Sequence, residues 1–527
     1  MMTPPAHIDQ ARAHSLGSLP RRAAQRCPGK VAIVDGNVEL TYDDFADMVD
    51  RTAGAMRESG LAQGDRLALL SRNCWQFAIV AFAAARAGVI LVPINFMLRP
   101  SEIAFIIDFS SARALIAQDE LVPTAVQALS QSAGSVTKRC AIRSSSDAVS
   151  LGWEDLQTWI DRDADAPEVS IGDDDPIRMM FTSGTESKPK GALLSSRALM
   201  WQYVSCAIDG GMSGDDVELH SLPLYHCAQL DSFLGTDIYL GATNIIVPAP
   251  EPVTLLRTIE AHGVTKLFAP PTVWIGLLRT PGFDEYDLSS LRKGYYGASA
   301  MPVEILKEIQ ARLPDVRLWN LYGQTEMAPT ATILAPEYQL SHPGAAGRPV
   351  LNVETRIHDL DDLPVGSGEV GEVVHRSPQT MLGYFNDEAK TAEAFRGGWF
   401  HSGDLGYFDD DGMLYIVDRK KDMIKTGGEN VASREVEEAI YLLEGVSEVA
   451  VFGVTHPTWV EAVVAVVVPK PGSPLTEMDV IQHTRTLLAG YKTPKRVVIA
   501  QELPKNPSGK ILKRSLRETY GFDFSEA

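Results

Sequence analysis

Arg66-Leu-Ala-Leu-Leu-Ser-Arg-Asn-Cys-Trp-Gln-Phe-Ala-Ile-Val-Ala-Phe-Ala-Ala-Ala-Arg-Ala-Gly-Val-Ile-Leu-Val-Pro93 sets two short aliphatic runs on either side of a longer helical one. Arg66 to Leu70 reads as a strand, Cys74 to Ala87 as a helix and Val89 to Val92 as a second strand. A near-continuous aliphatic strand is buried on both faces, which is the signature of a parallel sheet covered by helices. Phe77 to Val92 is also the most apolar stretch of the chain, but Arg86 and Gly88 interrupt it and Pro93 stops it. It is too short to cross a bilayer, and no transmembrane segment is expected.

The same alternation extends in both directions. Upstream, Thr41 is a predicted N-cap with Asp44 three residues on, and Phe45, Met48, Val49, Thr52 and Met56 recur at helical spacing before Gly60. Downstream, Ser101 is read as the cap of a helix through Phe109, followed by a strand at Ala114 to Ala117. Ser, Asp and Gly mark loops around Ser144 to Asp175, and alternation resumes from Leu193 to Trp319. From Gly344 to Arg419 closely spaced turns, among them Asp411-Gly412, separate short alternating runs, which predicts a smaller β-rich unit. A compact tail follows, with a helix from Ser433, strands at Val449 to Val454 and Ala462 to Val468, and a helix begun by Thr476 with Asp479. The fold class is therefore α/β, with residues 1–419 as a large N-terminal domain and 420–527 as a small α+β domain.

The chain has 527 residues, enough for more than one compact unit, and 45% hydrophobic residues, enough for large cores. Lys+Arg 48 against Asp+Glu 68 leaves a net charge of -20, so nucleic acid is a poor partner and any phosphate must be held by local groups. Five scattered cysteines, with no paired metal-ligand or disulfide spacing, point to a reducing cytoplasm. Met1 to Arg26 lacks the apolar core of a secretory signal.

The chemistry begins at Thr182-Ser-Gly-Thr-Glu-Ser-Lys-Pro-Lys-Gly191, after the apolar run Met179-Met-Phe181. Hydroxyls, two glycines and lysines after a strand make a loop whose N–H groups, O–H donors and ammonium suit a polyphosphate. A Walker A loop needs Gly before its Lys, and here Pro189 precedes Lys190. By composition alone a solvated Ser/Thr/Gly turn accounts for the same residues.

Tyr322-Gly-Gln-Thr-Glu326, Gly403-Asp404, Asp418-Arg419, Gly427-Gly-Glu-Asn430 and Pro507-Ser-Gly-Lys510 follow in order. With the loop, these segments resemble the motifs of the adenylate-forming superfamily, over nearly the whole length. The chain departs at Glu186-Ser187, where the family more often has Thr-Gly, and at Ala432-Ser433, where it more often has Tyr-Pro. End to end, including Lys510-Ile-Leu-Lys-Arg514, it is most similar to medium- and long-chain fatty acyl-CoA ligases.

The resemblance implies ATP, Mg²⁺ and coenzyme A. Thr182, Ser183, Gly184, Thr185 and Lys190 would hold phosphates. Glu326, with Thr185, would bind Mg²⁺, and Thr325 would donate to the α-phosphate. Tyr322 would stack on adenine beside Gly297, Ala298 and Ser299, with Asn320 and Gly323 in the same wall. Asp404 would accept the ribose hydroxyls and Arg419 would reach the ribose or phosphates. Lys510 would hold the carboxylate against the α-phosphate in the first half-reaction. A mobile C-terminal domain would then turn about Lys421, bringing Lys425, Gly427 and Gly428 to a pantetheine channel.

Tyr225, His226 and Cys227, in Ser221-Leu-Pro-Leu-Tyr-His226 and the residue after it, match the front of the acyl pocket. Amino-acid-activating relatives carry Asp where this chain has Cys227, which disfavours an α-amino acid. On a helix, though, Asp231 would share a face with Cys227. The expectation is a carboxylic acid activated to acyl-AMP and passed to coenzyme A, with a fatty acid favoured. Alternatives are an aryl or alicyclic acid, a carrier-protein acceptor, or a nucleotide-binding pseudoenzyme. The sequence leaves open peripheral membrane contact and a homodimer.

Overall fold

The computed structural model describes residues 11–12, 14–144, 152–167, 169–182, 189–297, 299, 301–419, 422–426, 429–506 and 511–521. Two mostly parallel sheets dominate. In the first, nine described strands run in the order Arg348–Pro349, Thr330–Leu334, Arg317–Gly323, Lys293–Gly297, Lys266–Phe268, Val217–His220, Thr243–Ile246, Val31–Asp35, Val38–Thr41. Those between Arg317–Gly323 and Val31–Asp35 are parallel. In the second, Ile90–Ile94, Arg66–Leu70, Ala114–Gln118 and Lys138–Ile142 lie parallel, and the antiparallel pair Pro176–Thr182 and Lys190–Ser195 extends them.

Alternation along each strand sorts its side chains to opposite faces. Leu67, Leu69 and Leu91 join a core with Phe45, Phe77 and Leu199, whereas Ala68, Leu70 and Val92 join another with Ile103 and Ile107. Ile33 faces the first of these cores, and Val34 turns to a third with Leu255 and Trp274. Helices therefore lie outside both sheets and between them. The helix Trp75–Ala87 is in the middle layer and is buried almost all round, which is why it is apolar on every face.

Charge is buried there too. Lys266, wholly enclosed in the centre of the first sheet, is paired with Asp237 of the helix Gly235–Leu240 and lies 3.1 Å from Glu218 and 3.9 Å from Asp216. Lys293 reaches Asp216 at 2.7 Å. Beside them the His220 ring bonds Asn244 at 2.8 Å and Gln229 at 2.7 Å. Burial holds the Glu218 carboxyl well above its usual range and pushes His220 down to about 3. His220 is therefore neutral in the fold at pH 7.

Gly371–Arg376 and Phe400–Phe408 form an antiparallel sheet with Glu354–His358 and Leu414–Arg419, the β-rich unit expected from the turns. The tail builds its own sheet around Val446–His456 and Val460–Pro469. Capping boxes form at Thr41 with Asp44 and at Thr476 with Asp479. Ser101 is not a cap. Pro100, with its φ already set for a helix, opens Pro100–Ser110, and the Glu102 carboxylate accepts the Arg99 N–H at 2.8 Å. The expected loop region also holds a short strand Glu154–Asp155 and a helix Gln157–Ile160, because Trp159 and Ile160 bury against the middle core. All five cysteines are free, and no described helix is long and apolar enough to cross a membrane.

Removing one member of a buried ion cluster strands the others, at a cost of about 3–5 kcal/mol. Lys266→Met, which strands three carboxyl groups at once, should lower unfolding stability by about that much, whereas Glu218→Gln, which leaves the ammonium its Asp237 and Asp216 partners, should cost clearly less. Urea titrations of the two variants check the contrast, and equal losses would contradict it.

Candidate functional site

Three site segments begin where strands of the first sheet end. Val217–His220 leads into Ser221 to Cys227, Lys293–Gly297 into Ser299, and Arg317–Gly323 into Thr325 and Glu326. The three strands point the same way, so their continuations emerge along one edge, the usual ligand edge of such sheets. Two glycines permit the backbones to close up here. A Cβ on Gly297 would stand 2.6 Å from the Leu321 carbonyl oxygen, and one on Gly323 1.9 Å from that of Pro329.

The phosphate-loop segment is contributed by the second sheet. Thr182 and Lys190 are register partners across the pair Pro176–Thr182 and Lys190–Ser195, which brings these two residues side by side. The short strand Gly383–Tyr384 pairs with the outer side of this hairpin, Tyr384 opposite Ala192. The Lys190 ammonium lies 4.9 Å from the Tyr384 ring centroid, and the Tyr384 hydroxyl donates to Glu326 Oε1 at 2.9 Å. The Met381 N–H also donates to the Glu326 carbonyl at 2.8 Å. Glu326 is thereby buried and fixed beside Tyr384 and the strand Lys190–Ser195.

On its other flank, the Thr325 hydroxyl meets the Cys227 sulfur at 3.2 Å. Burial pushes the Cys227 thiol up to about 12, so it is a neutral packing group and not a nucleophile. His226 accepts the Ala228 N–H on Nδ1 at 3.2 Å, which orients the ring. Tyr225 packs edge-on against Phe96, 5.5 Å between centroids. Lys190, Glu326, Thr325, Cys227 and His226, widely separated along the chain, thus form one contiguous group.

A second group adjoins it through the strand Arg317–Gly323. The Tyr322 hydroxyl donates to Asp404 Oδ2 at 2.7 Å, and Arg419 Nε lies 3.2 Å from Asp404 Oδ1. Asp404 and Arg419 are register partners on neighbouring strands, so their separation is fixed by the sheet. Burial and Asp404 hold the Tyr322 phenol well above its ordinary range, so it remains a donor. Asn320 is committed to the Ala345 carbonyl at 2.9 Å, a structural bond that holds the strand and leaves less of the side chain for a ligand.

Ser183, Gly184, Thr185, Glu186, Ala298, Lys421, Gly427, Gly428 and Lys510 lie outside the described residues. Lys425 is exposed on Ile424–Thr426, its N–H donating to Glu461 at 2.7 Å, and no described contact joins it to the Glu326 group. Tyr384 is the residue that sequence reasoning missed. It follows Leu382-Gly383 in a turn-rich stretch without periodicity, and only sheet pairing brings it to Glu326.

The chain matches the AMP-binding enzyme family over residues 20–385 and the AMP-binding enzyme C-terminal domain over residues 435–510. It is 36% identical over 510 residues to a feruloyl-CoA synthase of Amycolatopsis sp, covering 97% of this chain and 100% of that one. It is 33% identical over 493 residues to an indoleacetate–CoA ligase of Aromatoleum aromaticum, covering 93% and 95%. The structure of a Mycobacterium tuberculosis fatty acyl CoA synthetase superposes with a TM-score of 0.76 at 33% identity, covering 96% and 98%.

His375 packs behind Tyr322, ring centroids 6.3 Å apart, and burial pushes it down to about 3. Between 6.5 and that value the unfolded chain binds a proton that the folded chain refuses, so this residue lowers stability as pH falls through that window. His375→Gln should flatten the acid limb of a stability–pH curve measured by urea unfolding; an unchanged limb would contradict the assignment.

Proposed function

The chain belongs to the AMP-binding enzyme family as an adenylate-forming acyl-CoA synthetase, an acid–thiol ligase, and from that premise we propose the role of each residue. The carrying observation is the contact set that joins Lys190, Tyr384, Glu326, Thr325 and Cys227 into one wall. A carboxylate is a poor acyl donor because its leaving group would be oxide. Attack of a carboxylate oxygen on the α-phosphorus of ATP forms acyl-AMP and expels pyrophosphate. The thiol of coenzyme A then attacks the acyl carbon, giving the thioester and AMP.

Lys190, kept beside the Tyr384 ring, offsets phosphate charge, and Thr325 donates to an α-phosphate oxygen. The donor set, a buried carboxylate and hydroxyls, is all oxygen and suits Mg²⁺. Glu326 with Thr185 would hold the ion, which supplies neutralisation of the phosphates when bound. Each Asp404 oxygen retains a lone pair beyond those turned to Tyr322 and Arg419, and with these accepts the ribose hydroxyls. Tyr322 presents its ring to adenine. Lys510 closes the site for the first step, and residues 420–527 then turn about Lys421 so that Lys425, Gly427 and Gly428 face coenzyme A. That rotation must release Arg434, which donates to the Ile416 and Gly344 carbonyls at 2.8 Å each. Tyr225, His226 and Cys227 front the acyl pocket. The named relatives act on aryl and fatty acids, so a panel spanning both, assayed for AMP release with free coenzyme A, tests the acid class and the acceptor together.

Lys510→Ala should abolish acyl-AMP formation while leaving thioester formation from supplied acyl-AMP largely intact, with pyrophosphate release and thioester yield as separate assays. Loss of both together would overturn its role. Glu326→Gln should slow Mg²⁺-dependent AMP release by about two to three decades. Tyr384→Phe, which removes one bond to the same carboxylate, should cost about tenfold. A Tyr384→Phe rate equal to wild type at limiting Mg²⁺ would detach that residue from the site.

A further inference from the structure

One helical turn beyond Cys227 the buried side chains become charged. Asp231 lies in the π-helix Ala228–Leu234, where a step of four residues returns to nearly the same face, and its charge is felt at the Cys227 thiol. Asp231 is wholly buried, yet among the described residues neither of its carboxylate oxygens accepts a hydrogen bond; Arg178 Nε stands 3.6 Å from Oδ1. Arg178 is equally enclosed and spends Nη1 on the Ala81 carbonyl at 3.0 Å, leaving Nε without a hydrogen-bond acceptor. The Tyr203 hydroxyl and Gln202 Oε1 are also buried and unpartnered; Tyr203 is within reach of the Asp231 and Arg178 charges, and Gln202 Nε2 donates to the Asp231 carbonyl at 3.2 Å. Four polar side chains with unused donors and acceptors, gathered in one place, forfeit stability unless something else bonds to them.

A plain alkyl tail has nothing to offer such groups, and its methylenes would add to their desolvation. The ion pair is net neutral, which removes the attraction an ammonium group would need. A hydroxyl matches both halves: it donates to Asp231 and its oxygen accepts from Arg178 or Tyr203. We infer that the acyl pocket ends in a polar floor of Asp231, Arg178, Tyr203 and Gln202, and that the acid activated by this chain carries a hydroxyl group remote from its carboxylate. This rests on the ligase reading above and narrows its substrate. Sites that hydrogen-bond a substrate hydroxyl discriminate strongly against analogues lacking it, because rejection leaves buried groups unpaired.

The test uses the full chain with ATP, Mg²⁺ and coenzyme A, measuring kcat/KM for AMP release with two matched pairs of acids. They are cinnamic against 4-hydroxycinnamic acid, and decanoic against 10-hydroxydecanoic acid, which separate an aryl from an alkyl source of the hydroxyl. The hydroxylated member of one pair should be preferred by about tenfold or more. Asp231→Asn and Tyr203→Phe should each shrink that preference at least about threefold. Tyr203→Phe removes a single oxygen, so it remains informative where the Asp231 variant misfolds. Equal use of both members in both pairs, turnover of other acids only, or a preference unchanged in Tyr203→Phe would overturn the inference and leave the ligase intact. AMP release with no acid of any class would instead overturn the ligase reading itself.

Discussion

Lys266 is the constraint around which the first sheet and the acyl segment are arranged. An ammonium with no solvent access is tolerated only where carboxylates surround it, and those come from three different places: Asp216 before a strand, Glu218 within it, and Asp237 on a middle-layer helix. The attraction pins helix to sheet at a point where apolar packing alone would permit sliding. Next to this cluster the His220 ring bonds Gln229, and Gln229 in turn accepts the Leu222 N–H at 3.3 Å. A rigid polar path thus runs from the sheet interior to the residues that precede His226 and Cys227.

Division of labour between the two sheets follows. The first supplies Thr325, Glu326 and the acyl-side residues from the ends of its parallel strands, and the second supplies Lys190 from an antiparallel hairpin. Each sheet alone holds half of the proposed phosphate-binding wall. The bond between Tyr384 and Glu326 joins those halves, and the small antiparallel sheet adds Asp404 and Arg419 from the side.

Most of the architecture was legible in the sequence because it rests on periodicity. The aliphatic runs around Cys74 to Ala87 could hardly be anything but covered strands and a buried helix. Capping at Thr41 and Thr476 was equally plain, since the hydroxyl and carboxylate lie three residues apart. Ser101 misled because a good capping side chain stood next to Pro100, whose fixed φ starts the helix sooner. In the site, Glu326, Thr325 and Asp404 were marked by local motif. Tyr384, Asp231 and Arg178 were not legible in their partners, because what matters about each is a contact across more than fifty residues of chain, which no spacing encodes. Asp231 was noted for its face on a helix, but its pairing with Arg178 depends on how helix and sheet meet.

Tyr384 sits on a two-residue strand, and strand side chains alternate in direction. A one-residue slip in its pairing with Lys190–Ser195 would turn the ring outward, away from lysine and glutamate alike. Loop grafts among enzymes of this architecture must therefore preserve the pairing that sets this register, in which Leu382 and Phe385 donate to the Leu193 and Gly191 carbonyls at 2.8 Å each.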